Sequence, residues 1–102
     1  MNNLDKFLKN LCKINKYKHF NELMNLQINL KYIIGDISKY IIPVQIRSNK
    51  MEKNILVCHI YPLMMFEIES AKLNIINAIN IYFAKELIIN IIFLPKNNFT
   101  IC

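Results

Sequence analysis

The residues best equipped for chemistry in this chain are two histidines, three cysteines and a close pair of glutamates. His19 stands in a basic connector with no partner near it in sequence, and His59 stands in a run that alternates like a strand. Glu67 and Glu69 are two apart on an expected helix, so their carboxyls diverge and cannot share a proton as an acid/base pair. Cys12 lies beside Lys13, a neighbour that lowers a thiol pKa, but it falls at the edge of an expected helix. Cys12, Cys58 and Cys102 are far apart, odd in number and lack metal-ligand spacing. They read as reduced cytosolic thiols, with Cys58 a small core residue. Gly35 is the only glycine, which leaves no material for a phosphate-cradling loop. No serine sits on a nucleophile turn. This inventory predicts a protein that is not an enzyme, uses no cofactor or metal, takes no small-molecule substrate and works by binding a macromolecule.

Charge points to what that macromolecule is. The net charge is +6 over 102 residues, and it is concentrated at one end. Lys6, Lys9, Lys13, Lys16 and Lys18 face only Asp5 within the first 19 residues. Such an arm suits nucleic acid or an acidic protein surface. Its blander reading is a solvated face in a chain whose heavy use of Ile, Asn and Lys reflects AT-rich codons. Tyr17 is interleaved with the lysines, and His19 and Phe20 follow, so a base has rings to stack on. Arg47 is the only arginine, so paired donors for base edges are missing. Binding to DNA or RNA is therefore expected to be indifferent to sequence and sensitive to salt.

The elements that position these residues follow from periodicity. Leu4, Phe7, Leu8, Leu11 and Ile14 recur at helical spacing, with lysines on the other face. A second helix starts near Asn21, carries Leu23, Leu26, Leu30, Ile33, Ile37 and Ile41 inward, and stops at Pro43. Gly35 falls inside that pattern, and close packing against a strand is the expected reason. Val44–Arg47 reads as a short strand with Val44 and Ile46 on one face. Residues 54–60 read as the central strand: Ile55 and Val57 face one way, Leu56, Cys58 and Ile60 the other. Both rows are apolar, so both need cover. The helices are expected over Val57, and the N-terminal helix or a partner chain over Leu56, Cys58 and Ile60. Pro62 opens a third helix with Met64, Ile68, Ala71, Ile75, Ile79 and Tyr82 as its inward stripe. Leu87–Leu94 is a last strand, placing Ile89 and Ile91 in the core, and Pro95 stops it. The prediction is an α+β fold ordered helix–helix–strand–strand–helix–strand, a three-stranded sheet packed on helices. Residues 1–19 form a basic N-terminal helix and connector, 20–95 the folded domain and 96–102 a flexible tail. The apolar stretches around 55–66 and 87–95 are shorter than the roughly 20 residues a membrane span needs, and His59 and Asn90 sit within them; Lys6 and Lys9 interrupt the only apolar stretch that could serve as a signal peptide. A cytoplasmic protein with no membrane contact is expected.

At the third helix the residues resemble a known pattern. Met64-Met65-Phe66-Glu67-Ile68, then Ile75-Ile76-Asn77-Ala78-Ile79-Asn80, is similar to the signature of the DciA family, small bacterial proteins that act on the replicative DnaB-type helicase. Ile88–Phe93 approximates the strand that follows in that family. Ile33-Ile34-Gly35, Ile37 and Pro43-Val44 resemble its Val-Gly segment and its proline before the first strand. The resemblance covers roughly residues 26–94. The family's Trp before the Val-Gly pair is absent, Met64 takes a second Trp-like place, and Lys85 and Glu86 fill a turn where the family has glycine. The chain thus looks like a divergent short member. The resemblance implies a KH-like domain over 20–95, docking on the replicative helicase, and a role in placing that helicase on DNA during replication. The alternative is a general nucleic-acid-binding protein without a dedicated protein partner. True KH domains grip nucleic acid at a Gly-x-x-Gly loop, which this chain lacks. Two positions in the motif are candidate partner contacts. Glu67 is either a contact to the helicase or a first-turn acid matched to the helix dipole. Asn80 is either a partner contact or a bond to the turn that follows its helix.

Overall fold

A computed structural model describes residues 19–48, 51 and 53–100; the expected N-terminal helix and the arm lysines lie outside them. Helix α1, Phe20–Ile34, buries Leu26 and Leu30 and rests Leu23 and Ile33 against the core, as the spacing predicts. It starts on His19 rather than Asn21, with Leu23 N–H donating to the His19 carbonyl at 2.9 Å. It also stops earlier than expected. Gly35 takes φ 82° and ψ −155°, a region open in practice only to glycine, and donates its N–H to the Lys31 carbonyl. The glycine is therefore the helix stop. It is not a close-packing site, since a Cβ there would meet nothing within 4 Å. A 3-10 segment, Gly35–Tyr40, carries half-buried Ile37 and leads into the sheet.

Strand β1 spans Ile41–Ser48, β2 Asn54–Ile60 and β3 Asn90–Pro95, in the order β1-β2-β3. β1 runs antiparallel to β2, and β3 parallel to it. Pro43 does not end a helix; it lies in edge strand β1, where a missing N–H is tolerated. The register shifts between Pro43 and Gln45, a bulge at Val44. It turns Val44 out of line, so Ile41, Pro43 and Ile46 are buried and Val44 is half-buried. Between β2 and β3 the chain forms a 3-10 turn, Pro62–Met64, then α2, Met65–Ser70, and α3, Lys72–Phe83. The expected third helix is thus two helices meeting at Ala71, whose N–H reaches both the Glu67 and Ile68 carbonyls at 3.1 Å.

All described helices pack on one face of the sheet. Leu56, Cys58 and Ile60 pack in one cluster with Leu26, Leu30, Ile68, Ile75, Ile76 and Ile79, joined by Ile91 and Phe93 from β3. Full burial of one such Leu or Ile contributes about 1.5–3 kcal/mol, so this cluster holds the domain together. The two rows of β2 are therefore assigned opposite to expectation: Leu56, Cys58 and Ile60 meet the helices, and Ile55 and Val57 face away. The third strand also begins later. Ile89 is 41% exposed, while Leu87 and Ile88 are buried in the lead-in and Ile91 in the strand. Past β3, Lys96 N–H donates to the Ile60 carbonyl at 3.0 Å, and the Phe99 ring lies 6.2 Å from Tyr61. The start of the expected flexible tail is thus bonded to the end of β2.

Candidate interaction surface

Helix α2 has an inward and an outward side, and the outward side carries unusual side chains. Pro62 sets the first turn, Ile68 is fully buried, and Met64 and Met65 pack against the core. Those constraints push Leu63 and Phe66 outward, 79% and 80% exposed. Leu63 lies in the 3-10 turn just before α2, Phe66 in the first turn of α2, and Glu67, also exposed, follows Phe66. Ser70 Oγ donates to the Phe66 carbonyl at 2.8 Å, closing the last turn of α2. An aliphatic, an aromatic and a carboxylate side chain are thus exposed within five residues at the start of α2. In the sequence Phe66 stands out only within the run that resembles the family signature and Leu63 not at all, although both fall off the stripe Met64, Ile68, Ala71 and Ile75, which is the signal that finds them.

Asn80, thirteen residues after Glu67, is bonded within the fold. Its Nδ2 donates to the Ile88 carbonyl at 2.9 Å, and Ile88 N–H donates to its Oδ1 at 3.0 Å. The amide thereby fastens the end of α3 to the lead-in of β3. Asn54 does the same from β2, with Nδ2 donating to the Leu87 carbonyl at 2.9 Å. The cavity beside Asn80 holds about 510 Å³ and includes Asn77, Ile81 and Lys85. A second concavity, of about 690 Å³, lies between α1 and α3 and is lined by Tyr32, Ile33, Ala78, Ile81 and Tyr82. Tyr82 Oη donates to Asn25 Oδ1 at 2.8 Å, joining α3 to α1.

Two of the described titratable groups are shifted by their surroundings. Burial pushes the Cys58 thiol up to about 12, so at neutral pH it is a protonated core residue. Burial also pushes the Glu22 carboxyl upward. Its own backbone N–H, the His19 imidazole 3.3 Å away and the His19 and Lys85 charges outweigh that and hold it below the usual value. His59 pairs with Ile42 and Leu94 across the sheet, on the face away from the helices. Among the described residues no cluster of His, Cys, Asp and Glu could hold a metal ion, and no helix is long and apolar enough to cross a membrane. Lys6, Lys9, Lys13, Lys16, Lys18 and Tyr17, the expected nucleic-acid contacts, lie outside the described residues. No family model, curated protein or solved structure matches the chain.

Proposed function

We propose that this chain is a non-catalytic adaptor of the DciA type, which docks on the replicative DnaB-type helicase and helps place it on DNA. The observation that carries this reading is the exposed pair Leu63 and Phe66 beside Glu67. Exposed apolar side chains close together and rimmed by polar residues mark protein-interaction surfaces. It falls within Met64–Ile68, the run that resembles the family signature. The order helix–strand–strand–helix–helix–strand, with the last strand parallel to the central one, supports a KH-like domain. The junction where KH domains grip nucleic acid is here a single residue, Ala71, between α2 and α3. That favours a protein partner on the folded domain and leaves DNA to the lysine arm.

Affinity purification of the tagged chain from its source cells, with and without nuclease, tests the proposal. Recovery of the replicative helicase after nuclease treatment supports it. Loss of all partners on nuclease treatment supports the alternative, a general nucleic-acid-binding protein.

A further inference from the structure

The groove between α1 and α3 has no assigned role. Its larger hollow, about 690 Å³, and a smaller one of about 240 Å³ that reaches Ile37, Ala71 and Asn74 share Ile33 and Ala78 in their linings. Ile33 and Ala78 are half-buried, whereas Tyr32 and Ile81, which line the larger hollow with them, are 83% and 78% exposed. Ile28, one turn before Tyr32 on α1, is exposed as well. The polar groups here are neutral. They are Asn74, the tyrosine hydroxyls and Asn25, whose Oδ1 accepts from Tyr82 Oη at 2.8 Å and from Asn29 Nδ2 at 2.7 Å. Among the described residues neither lining holds a charged side chain. Lys31, Asp36 and Lys72 adjoin lining residues in sequence, and Lys72 already pairs with Glu69 at 3.4 Å. From residue 73 to residue 83, the end of α3, the chain carries no charge at all.

We propose that this groove is the contact surface of a symmetric dimer, in which each copy sets Tyr32 and Ile81 against the α1–α3 groove of the other. Three observations select a second copy as the occupant. The first is charge. The chain carries +6, so two copies repel unless they meet where charge is missing, and the groove is such a place. A phosphate backbone or an acidic protein would find no cation in its lining to pair with. The second is shape. A two-fold contact uses the same patch on both copies, so that patch must hold projections and a recess together. Tyr32 and Ile81 project, and the recess lined by Ile33 and Ala78 lies beside them. The third is preorganisation. The Tyr32 ring meets Tyr82 edge-on at 6.3 Å, and the bond to Asn25 holds Tyr82 in turn. Ordering these rings on association therefore costs little.

Sedimentation equilibrium of the full, nuclease-treated chain under reducing conditions tests this, over a range from about 1 μM to 1 mM. The parent should show a monomer–dimer equilibrium. Ile81→Asp sets an unpaired charge in the contact and should weaken the dimer at least tenfold. Tyr32→Asp should do the same from α1, and it serves as the second test should Ile81→Asp not fold. Both residues are exposed in the single copy, so thermal unfolding of the dilute monomer should be unchanged. Phe66→Asp, at the start of α2, should leave the dimer intact, which separates this contact from the one proposed for the helicase. A parent that stays monomeric over the whole range would overturn the proposal and leave the groove to residues 1–18 of the chain or to a different protein. A dimer that survives both groove variants would also overturn it, as would association that runs on past two copies, since a two-fold contact closes at two.

Discussion

Asn80 holds both backbone groups of Ile88 with one side-chain amide, so the turn between α3 and β3 is closed by a side chain where no helix or ladder bond is available. Ile88 is fully buried, so neither group has water as a substitute. Asn80→Ala should therefore cost about 2–3 kcal/mol in urea unfolding, from leaving a buried donor and acceptor unpaired. Asn80→Asp keeps an acceptor for the Ile88 N–H but sets a carboxylate against its carbonyl, and it should not recover the loss. A stability within 0.5 kcal/mol of the parent for Asn80→Ala, roughly the scatter of surface substitutions, would remove the clasp from the account.

Gly35 and Ala84 make opposite predictions. Both have positive φ, 82° and 56°, and both follow a helix. Gly35→Ala should destabilise by roughly 1–3 kcal/mol even though the added methyl meets no atom, because the strain lies in the backbone. Ala84 pays the left-handed cost already, so Ala84→Gly should stabilise by up to about 1 kcal/mol. Thermal unfolding of the two variants side by side checks both signs.

Cys58 makes stability fall in alkali. Its folded pKa is raised from 9.0 to about 12, so above pH 9 the unfolded chain releases a proton that the folded chain keeps. The thiol's contribution is complete below pH 9 and is lost as pH rises toward 12. The slope it adds is at most about 1.4 kcal/mol per pH unit. Lysines and tyrosines titrate in the same window, so the measurement is the difference in slope between the parent and Cys58→Ala. Equal slopes between pH 9 and 11 would contradict the burial of this thiol.

What the sequence revealed divides along physical lines. β2 and the stripe Ile68, Ile75 and Ile79 were legible, because a strand apolar on both sides and a three-to-four spacing each have one good solution. The helix stop was misread because both Gly35 and Pro43 end helices, and Pro43 was also acceptable in an edge strand. The bulge at Val44 broke the alternation that placed Val44 with Ile46, and a one-residue slip moves a side chain to the other face. The same parity problem reversed the two rows of β2, since neither row is polar. Ile89 was misplaced because the apolar run from Leu87 continues through the turn, which Asn80 and Asn54 hold. Of the candidate site, Glu67 is legible as a candidate contact, while Leu63 and Phe66 are legible only as positions off the inward stripe, because hydrophobicity alone does not tell an exposed apolar side chain from a core one.

The lysine arm makes a salt prediction. Replacing Lys13, Lys16 and Lys18 by Glu should abolish most DNA and RNA binding and leave the fold intact. If those three lysines each neutralise one phosphate of single-stranded nucleic acid, the slope of log affinity against log salt should shrink by roughly 2. Equal binding by parent and variant across a salt titration would leave the arm's charge to an acidic protein partner or to codon usage.

Whether the domain binds a protein through the exposed residues at the start of α2 is decided by a titration of the purified full chain against the purified replicative helicase. Fluorescence anisotropy in nuclease-treated samples should show saturable binding. Phe66→Ala should weaken it at least tenfold, a loss of about 1.4 kcal/mol or more in binding free energy. Phe66 is 80% exposed, so the same substitution should leave the melting temperature essentially unchanged. Saturable binding that Phe66→Ala and Leu63→Ala leave unaltered, or no binding by the parent chain, would contradict the account.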